Sequence, residues 1–357
     1  LRLQTHLKYL SDFYELFRKY ETTDPSQADY FFVPLFVAGM HFMNFDTRGL
    51  IEEYCDHLGR GNHILISTSD VGQRKESQYE MQHLANPARP YDRKYRWLND
   101  DFILIALESI NLHPQDIAFF PYQHDSTGMP DAGRDVFLSF VGKLRQPYLD
   151  PGHIRGGRLI EFREKFQSDR IVIGTPQELG VGYHAMMSRS VFTLCPAGYG
   201  RWSFRMIEAL LNGSIPVILS DGYVMPFADA IDWKKYCYVV EEKDLFQVVD
   251  RLKSLPPSEI REKQENIAKD RALFEKDFVW KQVVRALERQ RRIVRVPEYR
   301  SHADIAIGRM RSPEYMHIIC IDVTNKCDLA CSNCTRLLAN QDRLWEMTQE
   351  NFRLALQ

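Results

Sequence analysis

No apolar run in this chain approaches the ~20 residues that a membrane span needs. No secretory leader is visible either, because the N-terminal helical pattern carries Arg2, Lys8, Asp12, Glu15, Arg18 and Lys19. The chain opens on Leu1 rather than Met, which leaves room for an upstream segment. There is no surplus of charge. Lys and Arg total 46 against 48 Asp and Glu, a net charge of −2 that argues against bulk capture by nucleic acid or an anionic membrane. Internal repeats and low-complexity tracts are also missing. Cysteine is sparse: seven in 357 residues, with no disulfide-like framework, so a reducing compartment and a cytoplasmic location are expected. Cys55, Cys195 and Cys237 sit in apolar contexts and read as buried thiols. What is present is ordinary globular usage, 44% hydrophobic and 26% charged, over a length that suits roughly two to three domains.

The stretch from Ser188 to Trp233 is the richest. VFTLC (Val191–Cys195) is a short apolar run, and Pro196, Gly198 and Gly200 then break the pattern. Phe204, Ile207, Leu210 and Leu211 recur at helical spacing, Gly213 stops that helix, and IPVIL (Ile215–Leu219) predicts a second buried strand. A glycine loop opening a helix between two strands offers backbone N–H groups and a positive dipole end at the strand tips, which is a seat for an anion such as a diphosphate. Arg205 falls in the first helical turn, where an acid would be locally favoured, and Glu208 follows three residues later on the same face. From the pattern alone, a generic α/β crossover with a solvated Arg–Glu pair fits equally well.

The rest of the chain organises around this segment. Residues 1–130 read as one α/β unit, with helical segments at Thr5–Tyr20 and Arg48–Leu58, strands at Tyr30–Phe36 and His63–Ser67, and a further helix near Asp100–Ile110. Gln73–Trp97 is polar, contains Pro87 and Pro90, and reads as a long loop. Residues 131–257 read as a second unit, with strand Val136–Val141, helix Arg158–Phe166 and strand Ile171–Ile173 ahead of the glycine-loop segment. Residues 258–312 read as a helix with Ser258 as its N-cap, followed by a linker. Arginines from Arg285 to Arg311 make that part basic, as a helix face and linker or as a patch for nucleic acid or anionic lipid. The former is expected, since Pro297 and Pro313 bracket the stretch and stacking aromatics are few.

Residues 313–357 carry a different signature. Met316–Arg336 reads as a buried strand running into Cys327, Cys331 and Cys334 at the spacing Cys-x3-Cys-x2-Cys. Three thiolates on one loop suit three irons of a 4Fe-4S cluster. A zinc site completed by Cys320 or His317, and simple free thiols, are the competing readings. The strand and loop resemble the start of a radical SAM enzyme, which implies a 4Fe-4S cluster with S-adenosylmethionine on the open iron. Asn333 stands where that family usually has an aromatic, and too few strand–helix units follow for a whole partial barrel, so an incomplete (β/α) fragment is expected.

The glycine-loop segment resembles the donor half of exostosin-type glycosyltransferases (glycosyltransferase family 47). The resemblance lies in the run to Cys195-Pro196, then Gly198, Ser203, Arg205, Glu208, Ala209, Leu210, Gly213, Pro216, Val217, Asp221, Pro226, Phe227 and Asp232-Trp233. Asp24–Phe36, Gly59–Gly72, Asp116–Pro121, Arg134–Lys143 and Phe274–Trp280 are similar to further blocks of the family, in the family's order. The resemblance implies an α/β fold of the GT-B kind: two Rossmann-type domains facing a cleft. It implies transfer of a sugar, with inversion, from a nucleotide sugar such as a UDP-sugar to a hydroxyl of a glycan or other acceptor. Gly198, Ser203, Arg205, Glu208 and Asp221 are then the donor-binding residues. Arg205 stabilises the departing diphosphate, and Asp70, matching the Asp of the family's His-Asp-Trp-Gly block, is the candidate catalytic base. Asp70 before a glycine-containing turn is also an ordinary turn residue, and His63 and Asp221 are weaker candidates. No Asp-x-Asp pair occurs, so a dedicated divalent-metal site is not expected. Two other functions stay open. One is a radical SAM enzyme whose N-terminal region only binds a nucleotide or glycan. The other is a non-catalytic glycan-binding scaffold.

Overall fold

The computed structural model describes residues 2–22, 28–34, 62–68, 102–107, 112–122, 133–146, 153–198, 200–293 and 318–320. Asp70, Cys55, Cys327, Cys331 and Cys334, the segments Arg48–Leu58 and Gln73–Trp97, and the linker after residue 293 lie outside them. Strands β1 (Tyr30–Val33), β2 (His63–Ser67), β3 (Phe102–Ala106) and β4 (Ile117–Ala118) form an all-parallel sheet with β10 (Ile318–Cys320), in the order β10, β1, β2, β3, β4. The register pairs Phe31 with His63, His63 with Phe102, and Ile105 with Ile117. These strands are near-continuous apolar runs because a parallel sheet is covered on both faces.

Phe102–Ala106 corrects the expected helix near Asp100–Ile110. All five residues of this strand are buried, so both faces of the run are covered, and a short apolar run does not distinguish strand from helix by its period. The Phe, Ile and Leu side chains suit a pleated core position. Beyond the two-residue β4, the Asp116 carboxylate takes over the pairing: Oδ1 accepts the Leu104 N–H at 2.8 Å. Helix α1 (Arg2–Phe17) covers one face, burying Tyr9, Phe13, Leu16 and Phe17 at helical spacing.

The second sheet is also parallel, built from β5 (Val136–Val141), β6 (Ile171–Gly174), β7 (Ser190–Pro196), β8 (Ile215–Leu219) and β9 (Tyr238–Val240), in the order β6, β5, β7, β8, β9. Its helices are α2 (Leu159–Phe166), α3 (Pro176–Leu179), α4 (Tyr183–Arg189), α5 (Phe204–Leu211) and α6 (Val248–Lys253). Numbered within the sheet, the strands run 2-1-3-4-5, a doubly wound order whose crossovers leave in opposite directions between β5 and β7.

Two further helices follow, α7 (Pro257–Lys269) and α8 (Lys276–Ile293). The expected Ser258 N-cap is corrected. The cap is Pro256 and Pro257 takes the first helical position, where its fixed φ is preorganised and its missing N–H costs nothing. Helix α8 runs back to the first sheet: the Tyr30 hydroxyl donates to the Leu287 carbonyl at 2.6 Å, and Lys276 stands 3.7 Å from Asp12. One hydrophobic core extends through both units, joined where Phe120 meets Phe227 (5.8 Å) and Trp233 (5.7 Å), and where Tyr9 stacks on Phe204 (6.4 Å).

Candidate donor site

In a doubly wound sheet, ligands bind outside the carboxyl ends of the strands where the strand order reverses. Here that place lies beyond Val141 and Pro196, the last residues of β5 and β7. The loop after β7 is tightly tied. Ala197 N–H donates to Leu219 O at 2.9 Å, and Gly198 N–H donates to Gly200 O at 3.0 Å, so the Gly198 donor is used within the loop. Ser203 then caps α5, its Oγ accepting the Arg205 N–H at 3.3 Å. The helix is buried nearly all round, including Glu208, and stops at Gly213 with φ of 72°.

Arg205 is the centre of this edge. Its guanidinium carbon stands 4.7 Å from the centroid of the Phe140 ring and 5.8 Å from that of Tyr183. It forms no ion pair with any described residue, and its buried Nε has no hydrogen-bond partner among them. The solvated Arg–Glu pair is therefore corrected: Glu208 is buried and Arg205 is not bonded to it. Neighbours nonetheless feel both charges. Burial, and then the charge of Arg205, holds His184 below the usual imidazole range. Burial, and then Glu208, raises the Tyr183 phenol. A Cβ built at Gly142 would lie 3.0 Å from Arg205 Nη1 and 3.2 Å from Nη2, so the guanidinium occupies the space that a side chain there would fill.

Two other arginines converge on the same edge. A Cβ at Gly198 would lie 3.6 Å from Arg155 Nη1, and Arg155 Nη2 donates to Lys143 O at 3.2 Å. The Arg155 backbone N–H donates to Nδ1 of the buried His153 (3.1 Å), whose Nε2 faces Glu242 at 3.9 Å. Arg201 packs against Gly222, where φ is +70° and a Cβ would collide with its guanidinium. Asp221 is exposed at the end of β8, and its Oδ1 accepts the Glu242 N–H at 2.8 Å, capping a turn.

Of the expected site residues, Gly198, Ser203, Arg205 and Glu208 are thus brought together at the carboxyl edge, and Asp221 stands at the exit of the next strand. His63 sits at the opposite, amino end of β2, buried between Phe31 and Phe102 with ring centroids 5.5 Å from each. Cys195 and Cys237 are buried, and burial pushes the Cys237 thiol up to about 12. Sequence reasoning missed Phe140, Gly142, Arg155 and Tyr183. The alternation of Phe140 and Gly142 on one face of a predicted strand, leading into a basic glycine-containing segment, was the available signal.

The Exostosin GT47 domain family matches residues 3–255. A probable glucuronosyltransferase of Oryza sativa subsp. japonica is 37% identical over 271 residues, covering 69% of this chain and 61% of its own length. A probable β-1,4-xylosyltransferase of Arabidopsis thaliana is 37% identical over 137 residues, covering 38% of this chain and 33% of its own. The chain thus spans between a third and about three fifths of these relatives. Among solved structures, TarM is similar with a TM-score of 0.34 and 9% identity, over 63% of this chain and 50% of that one.

Proposed function

This chain belongs to the exostosin GT47 family, and on that premise we propose that it is a glycosyltransferase, moving a sugar from a UDP-sugar to a hydroxyl of a glycan acceptor within a GT-B arrangement of its two sheets. The observation that carries this reading is Arg205: a guanidinium without an acid partner among the described residues, at the carboxyl edge where β5 and β7 part. A diphosphate seated there meets that charge and the positive end of α5. The names of the two relatives make UDP-glucuronic acid and UDP-xylose the donors to test first.

In one inverting step, a base takes the acceptor O–H proton and the oxygen forms its bond to C1. The bond from C1 to the phosphate oxygen breaks, and UDP departs with that electron pair. Charge grows on the diphosphate through an oxocarbenium-like transition state, so a preorganised cation there lowers the barrier without reorganising. Glu208 is assigned to the ribose, whose hydroxyls would donate hydrogen bonds to its carboxylate, and Asp70 is assigned the base role. Cys327, Cys331 and Cys334 are kept only as proposed 4Fe-4S ligands, and no step of sugar transfer is routed through them.

The test is Arg205→Ala. Loss of one charge contact to the leaving group should lower kcat about a hundred- to a thousandfold while leaving the melting temperature unchanged. Turnover at the wild-type rate, with unaltered UDP affinity, would remove Arg205 from the chemistry.

A further inference from the structure

We propose that Phe140, Gly142 and Tyr183 form a cradle that positions Arg205 with no carboxylate of the described residues bonded to it, an inference that rests on the diphosphate reading above. Buried or half-buried arginines are ordinarily held by acids, which satisfy their donors and offset the cost of desolvation. An acid in that place would also cancel the charge that the leaving group needs. An aromatic ring attracts a cation through its quadrupole yet carries no net charge of its own. Arg205 stands over two such rings, Phe140 at 4.7 Å and Tyr183 at 5.8 Å.

The third part of the cradle is an absence. Residues two apart on a strand share a face, so Phe140 and the residue following β5 by one, Gly142, lie in line. A Cβ at Gly142 would press on both terminal nitrogens of Arg205, at 3.0 and 3.2 Å, and on the Phe140 ring tip at 3.4 Å. Glycine there lets the guanidinium lie flat against the strand exit. The φ of Gly142 is not in the left-handed region, so backbone freedom is not what the position requires. Among the described residues, Arg205 acts on the titratable groups His184, Tyr183 and Cys195, and the charge of Glu208 reaches Tyr183, Cys195 and Tyr9 without pairing with Arg205. Phe140, Gly142 and Tyr183 are positioning residues: they act on the diphosphate through Arg205.

The experiment measures UDP binding by calorimetry, and melting temperature, in the full chain carrying Tyr183→Phe, Tyr183→Gln, Tyr183→Glu, Gly142→Ala or Arg205→Ala. Tyr183 is 37% exposed, so its variants should fold. Tyr183→Phe keeps the ring and should bind UDP within about twofold of wild type, whereas Tyr183→Gln should weaken binding about three- to tenfold. Tyr183→Glu has nearly the shape of the Gln variant but places an acid beside Arg205, and should bind at least about tenfold more weakly than Tyr183→Gln. A merely structural role would not separate Gln from Glu. Gly142→Ala should weaken binding with little change in melting temperature. Equal affinities for the Gln and Glu variants, or wild-type binding by Gly142→Ala, together with a large loss in Arg205→Ala, would overturn the cradle and leave the diphosphate reading standing. Undiminished UDP binding by Arg205→Ala would overturn both.

Discussion

Arg205 occupies the first turn of α5, where the helix dipole disfavours a cation, and no described residue forms an ion pair with it. Burial, and then Arg205, lowers the folded-state pKa of His184 below its ordinary ~6.5. As pH falls through that ordinary value, the unfolded chain takes up a proton that the folded chain refuses. The stability associated with neutral His184 is therefore fully present above about pH 6.5 and is lost on acidification below it. His184→Gln should remove this contribution. Urea midpoints of wild type and variant should differ by a constant amount from pH 7 to 8, with wild type losing ground to the variant by pH 5.5. Parallel curves over the whole range would mean that His184 is not desolvated in the fold.

At the scale of the element, α5 serves two purposes that one residue lets us separate. Ser203 is its N-cap through the Arg205 N–H, and it also stands beside the proposed diphosphate seat. Ser203→Ala loses the cap and should cost about 1 kcal/mol of stability. Ser203→Asp keeps a good cap, so its stability should stay near wild type, but its carboxylate faces Arg205 and should weaken UDP binding. Denaturant midpoints and calorimetry measured on the same two proteins read the two effects apart. If Ser203→Asp bound UDP as wild type does, the anion would not sit at this helix end.

The whole molecule is braced across its two sheets rather than hinged on a bare linker. Phe120, from the end of the first unit, is fully buried against Phe227 and Trp233 of the second, and α8 ties back through Tyr30 and Asp12. Phe120→Ala should destabilise by roughly 3–5 kcal/mol, as deletion of a core aromatic does. Because one core serves both units, hydrogen-exchange protection should fall in β3 and in β8 together. A loss confined to β3 would show that the units open independently. The same bracing has a local counterpart at the edge of the first sheet, where Ile318–Cys320, from the stretch read as opening a separate fragment, pairs in parallel with Tyr30–Phe32.

Local pattern was enough for much of this protein. Continuous apolar runs located β2, β5 and β8 to the residue, because a strand covered on both faces needs no partner to declare itself. The helix start at Ser203, its stop at Gly213 and the glycine loop before it are short-range backbone chemistry, and they brought Ser203, Arg205 and Glu208 to one edge. Tertiary structure decided what short range could not. Phe102–Ala106 became a strand because a strand lay on either side of it, β2 and β4, while its own period was silent. The Arg205–Glu208 spacing permitted a pair, yet Glu208 is buried and Arg205 stands over Phe140 and Tyr183. Phe140, Arg155, Tyr183 and Arg205 lie on four separate segments. Only the strand order, with β5 beside β7 and crossovers departing in opposite directions, draws those segments to one edge, and that order depends on burial between elements distant in the chain.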